Sequence, residues 1–310
     1  MSLQRYLARK REFRAYQWKM AKRSKACYLF LAPYGILFIT FFVVPVITSL
    51  CLSFTYYNIL EPPRFIGLQN YINLLLADDV FLIAVKNTFL LALITGPVGY
   101  ISAFLFAWFI NELPRYIRAI AIVMFYAPSL SANMYLMWAY LFSGDAYGLL
   151  NAILIELNLI QQPITWLTNP QYMMTVVIIV SLWSSLGAGF LALVAGLQGI
   201  DKSMYEAGLI DGIKNRWQEL WFITLPNMKS MLMFSAVMSI TTAFNVADVP
   251  QALTGFPSTD YATHTVVLHL IDYGSIRFEM GYASAIATLL FLAMILCNKL
   301  IQKFLRRVGT

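Results

Sequence analysis

Residues 205–221 read YEAGLIDGIKNRWQELW. Glu206, Asp211, Lys214, Arg216 and Glu219 crowd into this one stretch. The segments on either side, about 171–198 and 229–252, are almost free of charge. An apolar chain that interrupts itself with a charged, helix-like stretch has a reason to present that stretch to something other than lipid.

The wider composition supports a membrane setting. Of 310 residues, 60% are hydrophobic and 12% charged, against about 25% charged in an ordinary soluble domain. A bilayer core of roughly 30 Å needs about 20 helical residues. Six stretches meet that length: about 28–52, 83–110, 117–142, 171–198, 229–252 and 281–301. The first, YLFLAPYGILFITFFVVPVITSLCL, contains Pro33 and Pro45, which membrane helices tolerate when neighbours satisfy the freed carbonyls. Its apolar run is too long for the core of a cleaved signal, so it reads as a retained span. Cys27, Cys51 and Cys297 are scattered, without metal-ligand spacing or a disulfide framework, and read as small buried hydrophobes.

The formal charge of +7 invites a nucleic-acid reading, but position argues otherwise. Nineteen of the 22 Lys+Arg residues fall on one side of the six-span arrangement. They occupy the N-terminal tail, the 111–118 loop (Arg115, Arg118), the 199–230 loop (Lys202, Lys214, Arg216, Lys229) and the C-terminal tail. Positive residues stay in the cytoplasm, so both termini and the charged loop are expected there, in contact with membrane lipids and with no nucleic acid. The opposite loops hold only Arg64 and Arg277, with Lys86 at a span edge. Within the loop 143–170, GLLNAILIELNLI (148–160) has helical periodicity and is expected to lie on the membrane surface or over the bundle.

Within the cytoplasmic loop, Ser203 and Glu206 have capping-box spacing, which predicts a helix from Ser203. Asp211-Gly212 is a turn signal. A second helical piece, about 213–223, is expected to stop at Leu225-Pro226. Met204, Ala207, Ile210, Trp217, Leu220 and Trp221 supply an apolar side. Two readings fit: an amphipathic helix resting on headgroups, or a docking knob whose small Ala207 and Gly208 admit a soluble partner beside Glu206 and Asp211.

YEAGLIDGIKNRWQELWFITLP resembles the EAA motif of bacterial binding-protein-dependent ABC importer permeases, in the type I, carbohydrate-uptake branch. The matching positions are Glu206, Ala207 and Gly208, then Asp211-Gly212, then Ile223-Thr224-Leu225-Pro226. Gly208 stands where the family has a second alanine, and the gap from Gly212 to Ile223 is one residue longer than usual. FIGLQNY (65–71), NTF (87–89) and LAPYGILFITFFVVPVITSL resemble the sugar and glycerol-phosphate permease group. FNVADVPQALTGFP (244–257) is similar to that group's fifth-span ending, with Asn245 and Phe256 departing from it. The resemblance implies an all-α, six-span, maltose-permease-like transmembrane domain. It also implies a second homologous permease subunit, two cytoplasmic ATPase subunits and an extracellular carbohydrate-binding protein. Coupling to the ATPase would run through Glu206, Ala207, Gly208, Asp211 and Gly212.

The residues themselves limit the energy source. No G-x-x-x-x-G-K-[ST] loop occurs, so ATP and Mg would bind partner subunits, with no cofactor in this chain. The spans show no relay of ionisable groups of the sort ion-driven transporters need. His264 and His269, five apart in an outer loop, lack zinc-helix spacing and read as ordinary loop histidines, leaving no metal site. No G-x-S-x-G elbow or intramembrane aspartate pair points to an enzyme. The alternatives are an ion-driven secondary transporter, or a receptor or scaffold whose loop binds a signalling protein.

Polar groups inside spans face cavities or partners. Asn133, Asn245, Asp248 and Gln251 are the pathway candidates, with Trp138 and Trp183 suited to stacking on sugar faces or to packing and interface duty. Ser181, Ser185 and Gly189 form a small-residue stripe, for a second permease or for an internal helix contact. The expected organisation is a basic tail (1–27), a permease domain (28–303) with its coupling loop at 199–228, and a short tail (304–310), in a bacterial cytoplasmic membrane.

Overall fold

The computed structural model describes residues 25–130 and 134–305, together with Phe13 and Met20. Most of the basic tail, Asn133 and the last five residues lie outside these. Five helices are long and apolar enough to cross a bilayer: Cys27–Leu52, Asp79–Asn111, Pro170–Gln198, Lys229–Thr254 and Met280–Lys303. They correspond to the expected first, second, fourth, fifth and sixth spans. The third is made in two pieces, Arg115–Tyr126 and Tyr135–Leu141, either side of a 3-10 turn at Ala127–Leu130. Pro128, which lacks a backbone donor, lies within that turn.

Two of the long helices start at a side-chain cap. Asp78 caps the second span by accepting from the Phe81 N–H at 2.8 Å. Asn169 caps the fourth, with Pro170 in its first turn where no donor is needed. Pro45 and Pro226 each follow a π-turn, Ile39–Val43 and Leu220–Thr224. The extra residue of a π-turn shifts the carbonyl that a proline ring would otherwise strike. Leu225-Pro226 therefore does not stop the chain: helical structure runs on through Leu225–Asn227 into Lys229–Phe244.

The centre of the bundle is the second span against the second half of the fourth (Ala188–Gln198) and the fifth (Lys229–Phe244). Ala103, Ala107, Ile110, Phe190, Leu193 and Met228 are buried at that junction. Close approach depends on missing side chains. A Cβ on Gly99 would come within 3.0 Å of Ser185, and one on Gly189 within 2.9 Å of the Ser235 hydroxyl. The stripe of Ser185 and Gly189 is thus an internal helix contact. The first span lies outermost, touching the sixth through Val44–Leu52 and leaving Leu29, Phe30 and Phe41 bare. Cys27 and Cys51 are exposed on it, contrary to the expectation of burial, because so little packs against this helix.

The segment 148–160 forms a helix at Leu149–Glu156 that folds over the bundle and is held by one buried residue. The Asn151 Nδ2 faces the carbonyls of Ser143, Asp145 and Ile164 at 3.0–3.1 Å. Its Oδ1 accepts from the Ile164 N–H and the Trp166 Nε1–H. Replacing Asn151 with leucine strands these groups at a fully buried site, each costing about 1–3 kcal/mol. We expect Asn151→Leu to lower the thermal unfolding midpoint of the purified chain clearly, whereas exposed Leu149→Ala leaves it near wild type.

Candidate functional site

Two features stand out, and they lie at different levels of the bundle. The first is the charged loop. Its helix is Lys202–Ile210, capped by Asp201, whose carboxylate accepts from the Ser203 N–H at 3.0 Å and is held below the usual range by its hydrogen bonds to Ser203. Asp201 sits just outside the first turn in an extended conformation, so it takes the cap that the Ser203–Glu206 spacing predicted for Ser203. The helix ends in a Schellman motif: Ile213 N–H bonds the Gly208 carbonyl, and Gly212 N–H bonds that of Leu209. The motif needs a left-handed residue, and Gly212 supplies it at φ +94°.

The bend folds the helix onto the π-turn that follows. Gly208 is buried there, and a Cβ would lie 2.5 Å from Ile223 Cδ1 and 3.0 Å from Ile213 Cδ1. Tyr205 and Thr224 hydroxyls meet at 3.1 Å. The fold of the loop itself thus gives Gly208 an internal reason to be small. Glu206, Ala207, Asp211 and Gly212 remain exposed, with Leu209 61% and Ile210 87% exposed beside them. An apolar tip ringed by two acids is a docking shape. Leu209 was missed by periodicity, which counted it among neither the apolar nor the charged face.

The loop is strapped to the adjoining 111–114 turn. Arg216 reaches Glu112 at 2.9 Å and Glu219 at 2.8 Å, and Trp217 lies against Trp108 with ring centres 5.5 Å apart. The hydrogen bond to Glu219, then the charge of Glu112, hold the guanidinium proton more firmly than usual. Arg216 and Trp217 thus tie the loop to the end of the second span.

The second feature is a cavity of about 260 Å³ where broken helices meet. The fourth span is interrupted between Trp183 and Ala188, the fifth between Phe244 and Asp248. Non-helical backbone at membrane depth is tolerated where protein buries it or it lines a cavity, and paired broken helices are a recurrent sign of a transport site. Thr95, Ser181, Ser184, Thr242, Asn245 and Asp248 supply its polar wall. The Ser184 and Ser185 hydroxyls bond their own helix at 2.9 and 2.6 Å, while the buried Ser181 hydroxyl has no partner among the described residues.

The cavity brings together Asn245 and Asp248 but not every sequence candidate. Trp138 and Trp183 contact each other edge to face at 5.2 Å and line a separate, apolar groove with Met137, Leu141 and Leu149. Gln251 is exposed and away from the cavity wall. Asn133 lies outside the described residues. Thr95 and Ser184 carry no signal in the sequence, because single Ser and Thr residues are ordinary in membrane helices, and Ser181 and Ser185 read there only as part of a small-residue stripe. Among the described residues, no three or more His, Cys, Asp or Glu converge as metal ligands.

His264 lies in a loop, as expected, and His269 in the short helix Val266–Ile271; both are 2% exposed. His269 meets Asp78, 191 positions earlier, at 3.0 Å. Sequence spacing gave no hint of that pairing.

Comparison with known proteins now bears on the whole. The family described as "Binding-protein-dependent transport system inner membrane component" matches residues 95–308. The probable ABC transporter permease protein YesP of Bacillus subtilis (strain 168) is 33% identical, over 86% of this chain and 85% of its own length. The arabinooligosaccharides transport system permease protein AraP of the same organism is 29% identical, over 89% and 87%. A crystal structure of a bacterial alginate ABC transporter, in complex with an alginate pentasaccharide-bound periplasmic protein, contains a chain with the same fold. It superposes with a TM-score of 0.76 at 22% identity, covering 94% of this chain and 98% of that one. The six-crossing architecture, the EAA-like knob and these likenesses agree: this chain belongs to the binding-protein-dependent inner membrane component family, the multi-pass permeases of ABC importers.

Proposed function

We propose that this permease carries an oligosaccharide, delivered by an extracellular solute-binding protein, through the hydroxyl-lined cavity. The observation that carries the reading is the cavity wall itself. It offers donors and acceptors of the kind that replace water around a polyol, with one carboxylate and no cation. The sugar-related relatives favour the same class of solute: AraP is named for arabinooligosaccharides, and the alginate transporter was solved with a pentasaccharide-loaded protein.

Transport would proceed by alternating access. Two cytoplasmic ATPase subunits, which bind ATP and Mg, would grip the Glu206–Gly212 knob from the cell interior. Their closure would pivot spans four and five about the cavity. A second homologous permease would close the side left open, and the bare first span offers it, or lipid, an apolar face. Both termini would lie in the cytoplasm, with residues 1–27 and 304–310 as tails. The test is ATP hydrolysis by the complex purified through this subunit, measured with its binding protein and a panel of di- to pentasaccharides. Stimulation by a saccharide supports the reading. Stimulation confined to amino acids or inorganic ions would replace it.

A further inference from the structure

The connection between the fifth and sixth spans folds back into the outer end of the bundle. Thr263, His264 and Thr265 are at most 2% exposed. Asn87 Nδ2 donates to the carbonyls of Tyr261 and His264, and Thr88 Oγ1 accepts from the Val266 N–H. Inside this segment runs a hydrogen-bonded chain. Asp78 Oδ2 accepts from Tyr282 Oη–H at 2.9 Å and meets His269 Nε2 at 3.0 Å. His269 Nδ1 faces His264 Nε2 at 3.2 Å. The carboxylate only accepts, which fixes the order of protons. His269 carries its proton on Nε2, so its Nδ1 accepts from His264 Nε2–H. His264 Nδ1 is then left bare, buried and without a partner.

One residue further, Thr265 Oγ1 donates to the Val246 carbonyl at 2.9 Å. Val246 lies in the break of the fifth span and lines the cavity. We propose that the Asp78–His269–His264 chain is a positioning device: it fixes Thr265, and Thr265 holds the cavity-lining break of the fifth span in place. Its importance for uptake rests on the reading of that cavity as the solute route.

The device responds to acid. Burial pushes His264 down to about 4 and lowers His269 also, so both are neutral at physiological pH. Burial pushes Asp78 up, but the Phe81 N–H, Tyr282 and His269 outweigh it and keep it ionised. The other charged or titratable groups facing the pair are Asp272, Tyr273 and Arg277 of the connection, with Tyr261 against His264 and Glu279 behind Tyr273. Histidines whose folded value lies below the unfolded ~6.5 take up protons preferentially when released, so the hold weakens as pH falls from about 6.5 toward about 4.

Hydrogen exchange of the full chain in lipid nanodiscs, corrected for the intrinsic pH dependence, tests this. In the wild type, we expect exchange across 245–254 and 256–271 to rise about tenfold between about pH 7.5 and pH 5, with 280–303 unchanged. His269→Phe keeps a ring but no nitrogen, and raises exchange in those segments already at the higher pH. The double variant His264→Gln/His269→Gln retains donors and acceptors without a titrating group; it stays protected and loses the acid response. The proposal is overturned if His269→Phe leaves 245–254 unchanged, if it loosens 280–303 equally, or if the double variant still responds to acid. Exchange needs neither solute nor ATPase, so such a result leaves the importer reading standing; that reading fails only in the saccharide assay.

Discussion

Gly208→Ala should cost the assembled transporter most of its ATP-driven uptake, although it adds one methyl group. That Cβ would sit 2.5 Å from Ile223 Cδ1 and 3.0 Å from Ile213 Cδ1, so either these side-chain ends or the helix must shift. Overpacking of this kind costs about 1–3 kcal/mol, relieved here by swinging the Lys202–Ile210 helix away from Leu220–Thr224. The knob would remain present and correctly capped, but no longer braced against the fifth span. We expect uptake to fall about tenfold or more while ATP hydrolysis persists, because the motor still turns against a slack lever. Ile223→Val removes the offending Cδ1, and the double variant should recover most of the uptake. Recovery shows that Gly208 acts inside the loop; failure to recover would place its role at the partner surface. Gly212→Ala is the contrasting case. Nothing lies within 4 Å of its Cβ position, so only the left-handed backbone is penalised, at about 1 kcal/mol, and uptake should fall far less.

The second large effect is expected at the cavity. Thr242 is exposed within it, and its hydroxyl bonds only its own helix, to Met238 and Ser239 carbonyls. Thr242→Trp therefore removes no bond between helices but fills much of a 260 Å³ space. Uptake of the cognate saccharide should drop about 100-fold, near 2.7 kcal/mol of lost transition-state access. Membrane insertion, assembly and basal ATP hydrolysis should stay near wild type. Thr242→Ser is the control and should transport normally. Normal uptake by the tryptophan variant, measured with radiolabelled saccharide in proteoliposomes, would remove the cavity from the route.

The sequence made the spans legible wherever apolar residues ran unbroken for the thickness of a bilayer. The third was harder, because its first helix gives way to a 3-10 turn at Ala127–Leu130. Pro226 misled for a different reason. A proline is a stop signal in an α-helix, but the π-turn at Leu220–Thr224 moves the clashing carbonyl aside, and periodicity does not register one extra residue per turn. Ser203 lost the cap to Asp201 because both residue types cap well and only backbone conformation chooses between them.

For the site, the charged loop announced itself by contrast with its surroundings, and Asn245 and Asp248 by being polar at depth. What they share with Thr95, Ser181 and Ser184 is a level in the bundle, which depends on where the fourth and fifth spans break. The buried chain Asp78–His269–His264 was invisible for a similar reason. Two histidines five apart look unremarkable until a carboxylate from the far end of another span is set beside them. Trp138 and Trp183 show the converse: residues attractive for sugar stacking found each other first.

The central claim is that this chain is a passive gate worked from the cell interior through its exposed knob. Ile210, 87% exposed at the tip, is the place to test it. A photo-crosslinking residue at position 210, in membranes carrying the co-expressed transporter, should yield an adduct with a chain bearing a G-x-x-x-x-G-K-[ST] loop, identified by mass spectrometry. Adducts only to lipid, or labelling of Ile210→Cys by an impermeant thiol reagent from outside intact cells, would contradict the account.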